Sequence, residues 1–127
     1  MGQKVFLVED SATVRMALTL GLADAGAMEV VDFAETERGA VAWLNENPSG
    51  WMLAIVDMFL KEGTGLGVLA ACRDSRQPGQ RVVVLTSHAT SDLRERCLRL
   101  GANAFFDKAS ETEALIAYCV QELQPGS

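Results

Sequence analysis

Three short runs in this chain are apolar at every position: Val5-Phe6-Leu7-Val8, Ile55-Val56 at the end of a β-rich stretch from Met52, and Val82-Val83-Val84-Leu85. A strand with one wet face alternates polar and apolar residues, whereas a strand covered on both faces does not. The runs are short, largely β-branched and flanked by polar residues, which favours strands over buried helices. Something else in the chain must therefore cover two faces of a sheet.

The rest of the sequence supplies that cover. β-rich runs at Lys4–Val8, Glu29–Phe33, Met52–Val56, Arg81–Leu85 and Ala104–Phe106 alternate with helical patterns. The helices are expected at about 11–25, 37–46, 66–74, 91–100 and from Ser110 onwards. Val14, Leu18 and Leu22 form the first apolar stripe, with Gly26 placed to end it. Thr36 is placed to cap the second helix, and Asn47-Pro48-Ser49-Gly50 to turn the chain after it. Ser110 and Glu113 have the spacing of a capping box, and Leu115, Ile116, Cys119, Val120 and Leu123 make the last apolar face. Gln124-Pro125-Gly126-Ser127 has the composition of a frayed tail. The alternation implies an α/β fold: a five-stranded parallel sheet between helices, read as one domain over residues 1–127.

Right-handed crossovers would put every strand's carboxyl end on one edge, which is where such sheets hold their sites. At those ends lie Glu9-Asp10, Asp57, Thr86-Ser87 and Lys108. Each alone is an ordinary turn, cap or solvated residue, and Asp10 or Ser11 could simply cap the first helix. Together they are three carboxylates, a hydroxyl and an ammonium. Clustered carboxylates require a cation, and an oxygen-only donor set selects a hard one such as Mg2+. Beside a carboxylate and a hydroxyl, the lysine suits a phosphoryl oxygen. The set fits phosphoryl transfer to a carboxylate.

Composition narrows the classes. Of 127 residues, 49% are hydrophobic and 22% charged, which describes a globular chain. The net charge of -6 argues against nonspecific binding to DNA or an anionic membrane, and no apolar run is long enough to span one. Residues 1–10 lack a signal-peptide layout, and Met1-Gly2-Gln3-Lys4 does not continue into a myristoylation signal. Cys72, Cys97 and Cys119 have no metal-like spacing and sit in apolar helical patterns, so buried reduced thiols and a cytoplasmic location are expected.

The stretches FLVEDSATVRMAL, AIVDMFLKEGTGLGVL, VVVLTSHA and GANAFFDKA resemble the CheY-like receiver domain of two-component response regulators, in order and over nearly the whole chain. The resemblance implies a flavodoxin-like sheet of order 2-1-3-4-5 and a phosphorylation-operated switch in a phosphorelay. It implies Asp57 as phosphoacceptor, with Glu9, Asp10 and the main-chain carbonyl of Phe59 joining Asp57 around Mg2+. Lys108 would contact the phosphoryl group. Thr86 and Phe105 would be the switch pair, the ring turning inward as the hydroxyl moves towards phosphate. The implied partners are a histidine kinase or histidine phosphotransfer protein upstream and a protein target or output domain downstream. The domain itself would bind no nucleic acid and no membrane, and would be a monomer or a phosphorylation-dependent dimer. It would catalyse its own phosphorylation and slow dephosphorylation without being a dedicated enzyme.

Some positions depart from the family pattern. Ala109 follows the lysine where proline is common, so a trans bond is expected there. Lys61 stands where a proline often lies, and Ser87 follows Thr86 where a smaller residue is usual. His88 reads as an exposed loop residue, or as a modulator of phosphoryl lifetime if it overhangs the site. Trp43 and Trp51 read as packing residues, and Arg94, Arg96 and Arg99 as a solvated face. An FMN carrier would need a phosphate-friendly first loop, which two acids oppose. A dehalogenase-like hydrolase would need an acid at Phe59. An unphosphorylated pseudo-receiver, acting as an interaction module, is the remaining alternative.

Overall fold

In the computed structural model, which describes residues 3–26 and 28–123, the buried runs form the centre of one sheet. The strands are β1 (Gln3–Val8), β2 (Met28–Ala34), β3 (Leu53–Val56), β4 (Arg81–Thr86) and β5 (Ala104–Asp107). The helices are α1 (Ala12–Ala25), α2 (Glu37–Glu46), α3 (Gly65–Ser75), α4 (Ser91–Arg99) and α5 (Thr112–Leu123). All strand pairs are parallel and the order is β2-β1-β3-β4-β5, the expected topology.

The pleat divides the core. Phe6, Val8, Ala54, Val56, Val82, Val84 and Phe105 face one way and pack with Leu44, Leu69, Cys72 and Cys97 of α2, α3 and α4. Val5, Leu7, Leu53, Ile55, Val83 and Leu85 face the other way and pack with Leu18, Leu22, Leu115 and Cys119 of α1 and α5. Every residue of β3 is buried, which is why that run shows no polar alternation. Trp43 stacks on Phe6 with ring centroids 4.0 Å apart, and Trp51 is buried, so both tryptophans pack as expected.

Local signals set most helix ends. Ser11 accepts from Val14 N at 3.3 Å, so it caps α1. Gly26, at φ 95°, ends that helix in the left-handed region that favours glycine. Thr36 caps α2 by accepting from Gly39 N at 3.0 Å. The expected Ser110 start is corrected: α5 opens at Thr112, after Ser110 N and Glu111 N donate to the Asp107 carbonyl at 3.4 and 2.8 Å. The Thr112 hydroxyl donates to the Lys108 carbonyl at 3.0 Å, fastening the helix to the strand end. The Lys108–Ala109 bond is trans.

All three cysteines are free and buried. Burial pushes the thiols of Cys72 and Cys97 up to about 11 and that of Cys119 up to about 12. Among the described residues, no helix is long and apolar enough to cross a membrane. The readings made for Met1-Gly2, the Leu123 side chain and residues 124–127 lie outside the described residues.

Candidate phosphoryl and metal site

The site is an extension of the sheet's own hydrogen bonding. One residue beyond β1, Glu9 N donates to the Ala34 carbonyl at 2.9 Å; one beyond β3, Asp57 N donates to the Val8 carbonyl at 2.9 Å. Beyond β5, Lys108 N donates to the Thr86 carbonyl at 2.9 Å. Val56 pairs with Val84 and Thr86 with Asp107, so these ends lie on one edge. Parallel strands leave the sheet in the same direction, and that turns positions far apart in sequence into neighbours.

Carboxylate oxygens of Glu9, Asp10 and Asp57 lie within 4.8 Å of one another. Glu9 and Asp57 are 3% and 5% exposed, so water screens their repulsion poorly. The Lys108 ammonium lies between them, paired with Glu9 Oε1 at 2.7 Å and donating to Asp57 Oδ2 at 3.0 Å. Burial pushes the Glu9 carboxyl above its ordinary value, partly offset by the bond from Lys108. Burial also opposes charge on Lys108, but hydrogen bonds to Glu9 and Asp57 outweigh it and raise the ammonium's pKa.

The second oxygens of Glu9 and Asp57 have backbone partners. Ser11 N donates to Glu9 Oε2 at 3.0 Å, and Phe59 N reaches Asp57 Oδ1 at 3.4 Å. Gly65 lets the loop close over the site, because a Cβ there would collide with the Asp57 carbonyl. The donor set fits a small hard divalent cation: three clustered carboxylates, two of them buried, with no nitrogen or sulfur ligand among them.

Thr86 is fully buried, and His88 N approaches its hydroxyl at 3.4 Å. Phe105 is already inside, 6% exposed and packed in the cluster with Val84 and Cys97. Phe105 therefore occupies an inward position in this conformation. Phe106, on the opposite face of the strand, packs edge-on against Tyr118 at 5.7 Å. His88 is exposed, yet its ring lies 4.4 Å from the half-exposed ring of Phe59, so two loops touch across the mouth of the site. Arg94, Arg96 and Arg99 are exposed, as expected of a solvated face.

Sequence reasoning overlooked Arg15. Its Nη1 donates to the Glu9 carbonyl at 2.8 Å, lies 3.6 Å from Glu35 Oε2, and its guanidinium covers the Phe33 ring at 3.9 Å. The available signal was a single basic residue in α1, one turn beyond the acidic pair.

Residues 5–119 match the family described as the response regulator receiver domain, and the chain belongs to that family. Among curated proteins it is 32% identical over 114 residues to the transcriptional regulatory protein PhoP of Escherichia coli K12, covering 90% of this chain and 49% of that protein. The chain thus spans about half the length of that relative. Among solved structures, it resembles the signal receiver domain of a putative LuxO repressor protein from Vibrio parahaemolyticus, with TM-score 0.82 and 24% identity over 97% of this chain and 91% of that one. It also resembles the phosphorylated cyanobacterial phytochrome response regulator RcpA, with TM-score 0.76 and 25% identity over 95% of this chain and 91% of that one. The chain is a receiver domain of the kind found in two-component response regulators.

Proposed function

We propose that residues 1–127 act as a phosphorylation-dependent switch with Asp57 as the acceptor. The observation that carries this reading is the buried Asp57 carboxylate, set between two further acids and the Lys108 ammonium. Lys108 and the following loop hold the two Asp57 oxygens separately, at 3.0 and 3.4 Å.

An Asp57 oxygen attacks the phosphorus of a phosphohistidine or small acyl phosphate donor. The new P–O bond forms as the donor's P–N or P–O bond breaks, and the leaving group departs with that electron pair. Lys108 stabilises charge on the transferring oxygens. Glu9, Asp10, Asp57 and the Phe59 carbonyl would hold Mg2+, which when bound supplies further neutralisation of that charge. Hydrolysis later breaks the Asp57–phosphoryl bond with water and restores the carboxylate.

The acyl phosphate carries about 1.5 to 2 negative charges in place of the single charge of the Asp57 carboxylate, beside two further acids. The Thr86 hydroxyl donates to its oxygens, and Phe105 in its buried position fills the space behind. Phosphorylation favours this inward packing over an outward one, biasing the surface of α4, β5 and α5. RcpA is described as phosphorylated and PhoP as a transcriptional regulatory protein, which supports a histidine kinase or histidine phosphotransfer protein upstream and a protein target or output domain downstream. The switch works in the cytoplasm, as a monomer or as a phosphorylation-dependent dimer.

Incubation with acetyl phosphate and Mg2+, read by intact and peptide mass, is expected to add one phosphoryl group at Asp57. Modification elsewhere, or full modification of Asp57→Ala, would overturn the assignment. No modification of the wild-type chain would leave the pseudo-receiver reading in its place.

A further inference from the structure

We infer that Glu37, at the start of α2, is a positioning residue for the phosphoacceptor site. It acts from outside the acidic cluster, by holding the loop that follows Asp57. The inference rests on the reading of that cluster as a Mg2+-dependent acceptor.

An acid in the first turn of a helix ordinarily serves its own N-terminus. Glu37 instead reaches across to α3. Its Oε1 accepts from Thr64 N at 2.9 Å, although the two residues are 27 apart in sequence. Thr64 is the N-cap residue of α3, yet its side chain makes no capping bond, and the first turn of α3 has no acid. Glu37 therefore gives the Thr64 N–H its acceptor and places a negative charge at the start of α3, whose first turn has no acid of its own.

The surrounding backbone is arranged around that carboxylate. A Cβ on Gly67 would fall on Glu37 Oε2, and one on Gly63, at φ 82°, would press on the Glu37 side chain. Glu37 N donates to the Glu62 carbonyl at 3.0 Å, and Lys61 N reaches the Glu35 carbonyl at 3.3 Å. Thr36 and Glu62 form a parallel bridge. The loop before α2 is thus zipped to the loop after β3. A proline at 61 could not make the Lys61 bond, since it has no N–H.

The strap leads to the acceptor by one further step. Thr64 forms an antiparallel bridge with Phe59, and Phe59 N approaches Asp57 Oδ1 at 3.4 Å. Fixing Thr64 fixes the Phe59 peptide, whose carbonyl is the proposed fourth ligand. Releasing Thr64 would loosen that segment and its contact with Asp57 Oδ1, without touching Glu9 or Asp10.

The test is a Mg2+ titration without phosphodonor, followed by backbone amide shifts, for wild type, Glu37→Ala, Glu37→Gln, Gly67→Ala and Glu37→Ala/Gly67→Ala. Groups that orient metal ligands from outside typically change affinity by about 10–100-fold. Acting one step further out, Glu37→Ala is expected to raise the half-saturating Mg2+ concentration by about three- to ten-fold. It should also shift the Thr64 and Phe59 amides. Glu37→Gln keeps the acceptor and should stay within about twofold of wild type. Gly67→Ala favours the helix but displaces the carboxylate, so it should mimic Glu37→Ala and add nothing to it in the double variant.

Unchanged half-saturation in Glu37→Ala or in Gly67→Ala overturns the inference while the acceptor site stands. Full additivity in the double variant also overturns it. A wild-type chain with no saturable Mg2+ response refutes the site reading and this inference with it. If Glu37→Ala does not fold, the Gly67→Ala titration decides alone.

Discussion

Replacing Lys108 by Met keeps an aliphatic stem and removes the ammonium that stands 2.7 Å from Glu9 and 3.0 Å from Asp57. Side-chain exposure is 4% for Glu9, 6% for Asp57 and 20% for Lys108. Removing one partner of a fully buried pair costs about 3–5 kcal/mol, whereas an exposed pair is worth about 0–1 kcal/mol. With both acids buried and the ammonium one-fifth exposed, we expect a loss of about 2–3 kcal/mol. The assay is urea unfolding in EDTA, where a slope on the order of 1–3 kcal/mol per molar translates that loss into a midpoint lower by about 1 M or more. Mg2+ would replace the missing charge. At about 100 times its dissociation constant a native-state ligand stabilises by about 2.7 kcal/mol, so Mg2+ should restore much of the loss. The gain should be larger in the variant than in wild type, and smaller again when Asp57→Asn is combined with it. An unchanged midpoint in EDTA, or equal Mg2+ gains in the two proteins, would refute the view that Lys108 is the standing counter-charge of the acidic pair.

Thr86→Ala should leave Asp57 phosphorylation largely intact but uncouple it from α4 and β5. A hydroxyl bonded to charged oxygens contributes about 1.5–3 kcal/mol, enough to shift a two-state ratio roughly tenfold. Equal amide-shift changes on adding beryllofluoride to both proteins would show that the hydroxyl carries no signal. The buried thiols set an alkaline limit: their folded pKa values, about 11 to 12, lie above the ordinary 9.0. The folded state therefore keeps protons that the unfolded chain releases, so their contribution is complete below about pH 9 and is lost as pH rises towards 11–12. Urea midpoints should fall between pH 8 and pH 10, less steeply in Cys119→Ala; identical slopes would refute a thiol origin. Phe6→Ala should cost about 3–5 kcal/mol and change Trp43 fluorescence, because the ring is fully buried and stacks on that indole; a near-neutral urea midpoint would contradict the packing.

Much of the site was legible because it lies where local signals end. Glu9, Asp57, Thr86 and Lys108 each stand at or just past a run whose apolar pattern marks a strand, and parallel topology brings such ends together. The cap at Ser110 misled because its spacing with Glu113 imitates a helix start, while the chain uses the Asp107 carbonyl to finish a turn first. Arg15 and Glu37 escaped notice because neither has a motif: their partners, Glu9 O and Thr64 N, are backbone atoms. Phe105 could be assigned to a strand but not to a rotamer, since its inward position depends on packing within the buried cluster it shares with Val84 and Cys97.

Strand and helix existence and the acidic edge follow from residue pattern, because periodicity, caps and β-branching act within a few residues, whereas the sheet order was implied by the resemblance alone. The pairing of Lys108 with Asp57 spans 51 residues, and Thr64 N donates to a carboxylate 27 residues earlier in the chain. Those contacts depend on strand register, loop closure and which charges burial leaves without water. Coulombic and capping partners are chosen by distance in space, and only the packed sheet and its crossing loops set that distance.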